Sequence, residues 1–195
     1  MSPGAPAPGL PIRRFETDAD WAAWLGDNHA ASRGIWLTFA KKTAAVTTVT
    51  YPQALEVAIC FGWIDGQRRG LDESFFLTRF TPRGPRSRWS QINRDKATEL
   101  IAAGRMRPSG LAQVQAAQAD GRWEAAYEPQ ASATVPDDLR AALDADPAAA
   151  QFFATLTGVR RYAFLYRLHH VTRPAARAKR IAGYIELLRE GRTLN

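Results

Sequence analysis

The first half of the chain alternates between two hydrophobic periods. Trp21, Trp24 and Leu25 fall at helical spacing behind Thr17-Asp18-Ala19-Asp20, where Thr17 supplies an N-cap and Asp20 an acid at the third helical position. The pattern predicts a helix of about four turns, running to His29 or Ala30. Gly34 then introduces Ile35 to Ala40, and beyond Lys41-Lys42 a second run rich in β-branched residues spans Val46 to Thr50. Two antiparallel strands joined by a short polar turn are expected there. Pro52 stands where a helix tolerates proline, and Ala54, Leu55, Val57, Ala58, Ile59 and Phe61 give the helix that follows a broad apolar face, with Glu56 inside it and Gly62 as its stop. Trp63 to Arg69 and Glu73 to Thr81 read as two further strands around a Gly70-Leu71-Asp72 turn.

From Ser87 onward the periodicity becomes helical. Segments 89–103, 109–119, 137–145, 148–155, 158–169 and 173–190 are expected to be helices, punctuated by Gly104, Pro108, Gly121, Pro136, Pro147 and Pro174. The predicted fold class is α+β: an N-terminal antiparallel sheet of about four strands with two packed helices, followed by an all-helical C-terminal half. The expected organisation is a disordered Pro-, Gly- and Ala-rich leader at 1–11, a sheet-containing region at 12–86 and a helical region at 87–195 packed with it as one globular unit, with 129–136 as a surface linker.

Composition narrows the function classes. With 195 residues, 46% hydrophobic and 23% charged, the chain is in the globular range and needs neither metal nor disulfides for stability. The leader lacks the charged and apolar regions of a signal peptide, and no uninterrupted apolar stretch approaches the roughly 20 residues that span a bilayer. A single cysteine, Cys60, allows no intrachain disulfide and leads us to expect a reduced, cytoplasmic protein. The net charge of +7 is carried mostly by arginine and is uneven. Arg79, Arg83, Arg86, Arg88, Arg94 and Lys96 face only Asp95, a second excess runs from Arg160 to Arg192, and the stretch from Asp120 to Asp146 is acidic. Such asymmetry favours anionic partners.

No familiar catalytic signature is present: no nucleophile elbow, P-loop, dinucleotide fingerprint or His-Glu-x-x-His helix. The adjacent His169 and His170 would point about 100° apart on a helix, so no shared metal is expected, and no cofactor is implied. The informative stretch is Lys41 to Asn93. Glu56 lies within an apolar face, Asp65 follows Trp63-Ile64, and Arg79 and Arg83 bracket Phe80-Thr81-Pro82. Buried carboxylates need cationic partners, for which Lys42, Arg79 and Arg83 are the candidates. Two readings stay open: a buried ion-pair network locking sheet to helix, or a pocket for a small anionic or polar ligand, with Ser87, Trp89, Ser90 and Asn93 at its rim. Glu56 or Asp65 would be the general base if the pocket were catalytic, although nothing names a reaction. Cys60 reads as a packed thiol, Trp21, Trp24, Trp36 and Trp63 as core, and Trp89 and Trp123, beside Arg88 and Arg122, as core or as a platform for a ring.

Taken together, Trp21-x-x-Trp24-Leu25, Gly34-x-Trp36-Leu37, Lys41-Lys42, Tyr51-x-x-Ala54-Leu55-Glu56, Cys60-Phe61-Gly62-Trp63-Ile64-Asp65-Gly66, Arg79-Phe80-Thr81-Pro82-Arg83, Ser87-x-Trp89-Ser90-x-x-Asn93 and Asp120-Gly121-Arg122-Trp123 resemble the YdeI/OmpD-associated family, also labelled bacteriocin-protection proteins. The resemblance implies a link to resistance against cationic antimicrobial peptides. The expected function is therefore cytoplasmic stress or antimicrobial-peptide resistance through binding of a small anionic or polar ligand at Lys42, Glu56, Asp65, Arg79, Arg83, Ser87, Trp89, Ser90 and Asn93. Alternatives are an enzyme using the same pocket and a nucleic-acid-binding protein using Arg83, Arg86, Arg88 and the helix containing Arg173 to Arg180.

Overall fold

A computed structural model describes residues 9–194; residues 1–8 of the expected leader lie outside them. The chain divides into two compact units, the first reaching to Trp89 and including Asn93–Ala126, the second holding Ser90–Ile92 and the chain from Tyr127 onward.

The first unit is built on four strands, β1 (Ile12–Arg14), β2 (Ile35–Ala40), β3 (Trp63–Gly70) and β4 (Phe75–Pro82), in the order β1-β2-β4-β3. The α+β class and the four-stranded sheet are as expected; the sheet is mixed, and its fourth strand is not the expected one. Val46 to Thr50 forms no strand. Thr50 is instead the N-cap of a helix, its side chain accepting from Gln53 N while Gln53 answers at Thr50 N, and Val49 N donates to Phe15 O at 3.0 Å. The free edge of β2 is taken by Ile12–Arg14, which pairs with it in parallel. A parallel neighbour needs a crossover connection, and the helix α1 (Asp18–Asn28) supplies it. Its cap is as read: Thr17 accepts from Asp20 N at 3.1 Å and Asp20 answers at Thr17 N. The β3–β4 hairpin turns where expected, with Asp72 accepting from Ser74 N and Phe75 N.

Ile35, Leu37 and Phe39 of β2, Trp63 of β3 and Phe80 of β4 pack with Trp21 and Leu25 of α1 and Ala54, Val57, Ala58 and Ile59 of α2 (Tyr51–Cys60) to form the core. Two of its buried indoles tie neighbouring elements together: Trp21 donates to Ala54 O at 3.1 Å and Trp63 to His29 O at 3.2 Å. The helices α3 (Gln91–Ala102), all but its first two residues, and α4 (Pro108–Ala119) also belong to this unit, which extends well beyond residue 86.

The second unit carries α5 (Asp137–Asp144), α6 (Pro147–Thr155), α7 (Gly158–His169) and α8 (Pro174–Arg189), close to the expected limits. Leu139, Phe153, Phe164, Leu168, Tyr184 and Leu188 are among the residues of its own core. Among the described residues no helix is long and apolar enough to cross a membrane.

Candidate functional site

The residues singled out by the sequence occupy several environments. Glu56 projects from the margin of the apolar face of α2, 28% exposed at its side chain, and is held by Lys96 Nζ at 3.3 Å and Arg105 Nη1 at 3.0 Å. These partners come from α3 and the α3–α4 connection rather than from the sheet. The Lys96 ammonium is pushed above its ordinary value by hydrogen bonds to Glu99 and Glu56. Asp65 is half-buried and accepts the Tyr51 hydroxyl at 2.7 Å, a sheet-to-helix tie. Lys42 is exposed in the segment after β2.

Arg83 is buried, with its guanidinium carbon 3.6 Å from the centre of the Trp89 ring and Nη1 donating to Arg88 O at 3.1 Å. Trp89 meets Trp123 edge to face at 4.9 Å. Ser87 accepts from Gly84 N through its hydroxyl and from Arg122 through its carbonyl. Trp89 is thus closed in by protein, at 1% exposure, and does not present a free face for stacking. Asn93 is buried on α3, and Ser90, in the second unit, is bridged to Tyr127.

Arg79 stands apart. It sits on β4 directly opposite Trp36 of β2 in the antiparallel register. Alternation along β2 puts Ile35, Leu37 and Phe39 on the helix-covered face and Trp36 and Thr38 on the other, so Arg79 and Leu77 share that second face. A β-bulge between Asp65 and Arg68 leaves Gly66 beside the Arg79 side chain, where a Cβ on the glycine would lie 3.5 Å from Arg79 Nε. The same face carries Arg69, whose guanidinium carbon is 4.2 Å from the Trp36 ring centre, and Arg14, 6.0 Å from that of Phe75. Neither Arg14 nor Arg79 is paired with a carboxylate among the described residues.

Trp36 is 2% exposed, yet its Nε1–H finds no acceptor, and neither does the buried Nε–H of Arg79. A buried N–H without an acceptor costs about 1–3 kcal/mol. Two on neighbouring strands of one face, among arginines and aromatic rings, make that face rich in hydrogen-bond donors, the chemistry that complements an anion. Trp36 is buried, as expected of a core residue, but on the face opposite Ile35, Leu37 and Phe39, and the phase of the alternation along Ile35 to Phe39 is the sequence signal for that.

Several cavities lie elsewhere. One of about 290 Å³ is lined by Cys60, Arg105, Met106 and Arg107, and burial pushes the Cys60 thiol above its ordinary value despite the two arginines. A neighbouring one of about 720 Å³ runs along α1 to Arg107 and Ser109. In the second unit a groove of about 760 Å³ follows α8 past Ile181 and Ile185, bounded by the ion pairs Arg177–Asp138 and Arg189–Asp146.

The fold and these surfaces define a two-unit α+β protein, a mixed sheet with a basic, aromatic face followed by a helical bundle. The chain belongs to the family described as Domain of unknown function (DUF8412), whose model matches residues 13–113. A second family model, Bacteriocin-protection, YdeI or OmpD-Associated, matches residues 132–191. The resemblance seen in the sequence is thus supported over the C-terminal helices, while most of the motifs quoted for it, Trp21 to Asn93, fall under the first model. No curated protein and no solved structure matches the chain.

Proposed function

We propose that this is a cytoplasmic protection or stress-response protein that acts by binding a small anion on the face of its sheet away from α1 and α2, between Trp36 and Arg79 with Arg69 and Arg14 beside them. The family match at 132–191 supports the protection-related role. The single buried thiol supports the reducing compartment. The ligand class rests on one observation: register partners Trp36 and Arg79 each hold a buried N–H with no acceptor. A carboxylate or phosphate ester supplies acceptors to both strands, and the long side chains of Arg69 and Arg79 swing aside to admit it and close over it.

Calorimetric titration of the full-length protein with inorganic pyrophosphate and with citrate, at matched ionic strength, tests this reading. Binding that falls at least tenfold in Arg79→Gln and is weakened in Trp36→Phe is the expected result. Absence of binding of either anion, or equal binding by Arg79→Gln, overturns it.

A further inference from the structure

Apart from its large groove, the second unit carries a cavity of about 500 Å³ on another part of α8, lined by Lys179, Arg180, Gly183, Tyr184 and Leu187 and closed by Leu194 from the C-terminal segment. The spacing of the α8 residues, at i, i+1, i+4, i+5 and i+8, brings them along one side of the helix. Three features point to a ligand. Lys179 and Arg180 are exposed and take part in no ion pair among the described residues. Tyr184 is 2% exposed, packs edge to face on Phe164 at 5.0 Å, and its hydroxyl has no hydrogen-bond partner. Gly183 lies in open space, since a Cβ built on it would meet nothing within 4 Å. Glycine inside a helix costs about 1 kcal/mol relative to alanine, and here it keeps the cavity clear.

We infer that this cavity binds an organic anion with an apolar body, its carboxylate or phosphate held by Lys179 and Arg180 and its hydrocarbon part against Leu187 and Leu194. Two cations at the rim and two leucines form an amphiphilic pocket, within the size range of small-molecule sites. The Tyr184 hydroxyl is itself closed to solvent, so it reaches the ligand only by a small shift of its ring and then gains the acceptor it lacks. This site is separate from the sheet face of the first unit and does not depend on it.

The test is calorimetric titration of the full-length protein with sodium decanoate below its micellar range, with sodium acetate and 1-decanol as controls. Decanoate is expected to bind at least tenfold more tightly than either. Affinity should fall at least tenfold in Lys179→Ala/Arg180→Ala and in Gly183→Leu, the latter filling the cavity from an open position in a helix that accepts leucine well, and by a smaller factor in Tyr184→Phe. Arg79→Gln should leave decanoate binding unchanged, which separates this site from the sheet face. Equal binding of decanoate and 1-decanol removes the cationic recognition, equal binding of acetate removes the apolar body, and undiminished binding in Gly183→Leu removes the location; each overturns the inference, as does absence of decanoate binding.

Discussion

Gly110 of α4 lies against the carbonyl of Cys60 at the end of α2, so close that a Cβ built on the glycine would stand 2.2 Å from that oxygen and 2.9 Å from the carbonyl oxygen of Ile59. Backbone, not a flexible side chain, fills the space. The same junction is fixed by Arg107 N donating to Cys60 O at 3.0 Å and by Gly62, whose φ of +76° turns the chain out of α2.

Gly110→Ala must therefore push α4 away from α2. Overpacking of this kind costs about 1–3 kcal/mol, and the upper end is expected because neither backbone can yield locally. Urea denaturation followed by tryptophan fluorescence measures it, with Gly183→Ala as the control. The latter adds its methyl in open space and should be neutral or stabilising.

Glu56→Ala should leave the fold intact and binding at the sheet face unchanged. The carboxylate is partly exposed and its partners Lys96 and Arg105 are themselves solvated, an arrangement in which ion pairs contribute little. Circular dichroism and the pyrophosphate titration check both halves of this expectation. Loss of cooperative unfolding would mean that the pair is a structural lock.

The contrast between Glu56 and Arg79 shows what was legible in the chain and why. Local signals were read well: the Thr17–Asp20 cap, Pro52 in the first turn of α2, the Gly70-Leu71-Asp72 turn and the helix limits near Pro108, Pro147 and Pro174 all act within a few residues. Val46 to Thr50 misled because β-branched residues fit any extended segment, and tertiary pairing decides whether one becomes a strand. Ile12-Arg13-Arg14 is too short and too charged to show a period. Glu56 was expected to need a cation from the sheet, but Lys96 and Arg105 reach it from 40 and 49 positions further along the chain. The Trp36–Arg79 pairing depends on β2 lying beside β4 rather than beside Val46 to Thr50, and only the assembled sheet supplies that neighbour.

Acid should weaken the second unit through two carboxylates. Asp146 is held below its ordinary value by the Ala149 N–H at the start of α6 and by Arg189 of α8, and Asp138 by Arg177. A lowered folded-state value means that the unfolded chain binds the proton more tightly. The stabilisation is therefore complete above the ordinary value of 3.8 and is lost as pH falls through the lowered ones. Thermal melts by circular dichroism should show Asp146→Asn and Asp138→Asn less stable than wild type at neutral pH, with the gap closing in acid. A gap that persists when the carboxylates are protonated would assign the loss to packing instead.

Alkali acts on the same unit through Tyr162, whose hydroxyl donates to Glu128 O at 2.7 Å. Burial, reinforced by Tyr127, Tyr166 and Glu128, pushes this phenol from 10.0 up to about 12. The folded chain thus holds the proton more tightly than the unfolded one, so the stabilisation is intact below 10.0 and is lost as pH rises through about 12. Ultraviolet titration of tyrosinate should show a late step that is missing from Tyr162→Phe. The variant also leaves the Glu128 carbonyl without its donor, which costs about 1 kcal/mol at neutral pH. If Tyr162 ionises near 10.0 in the intact protein, its hydroxyl is open to water and the tie to Glu128 contributes nothing.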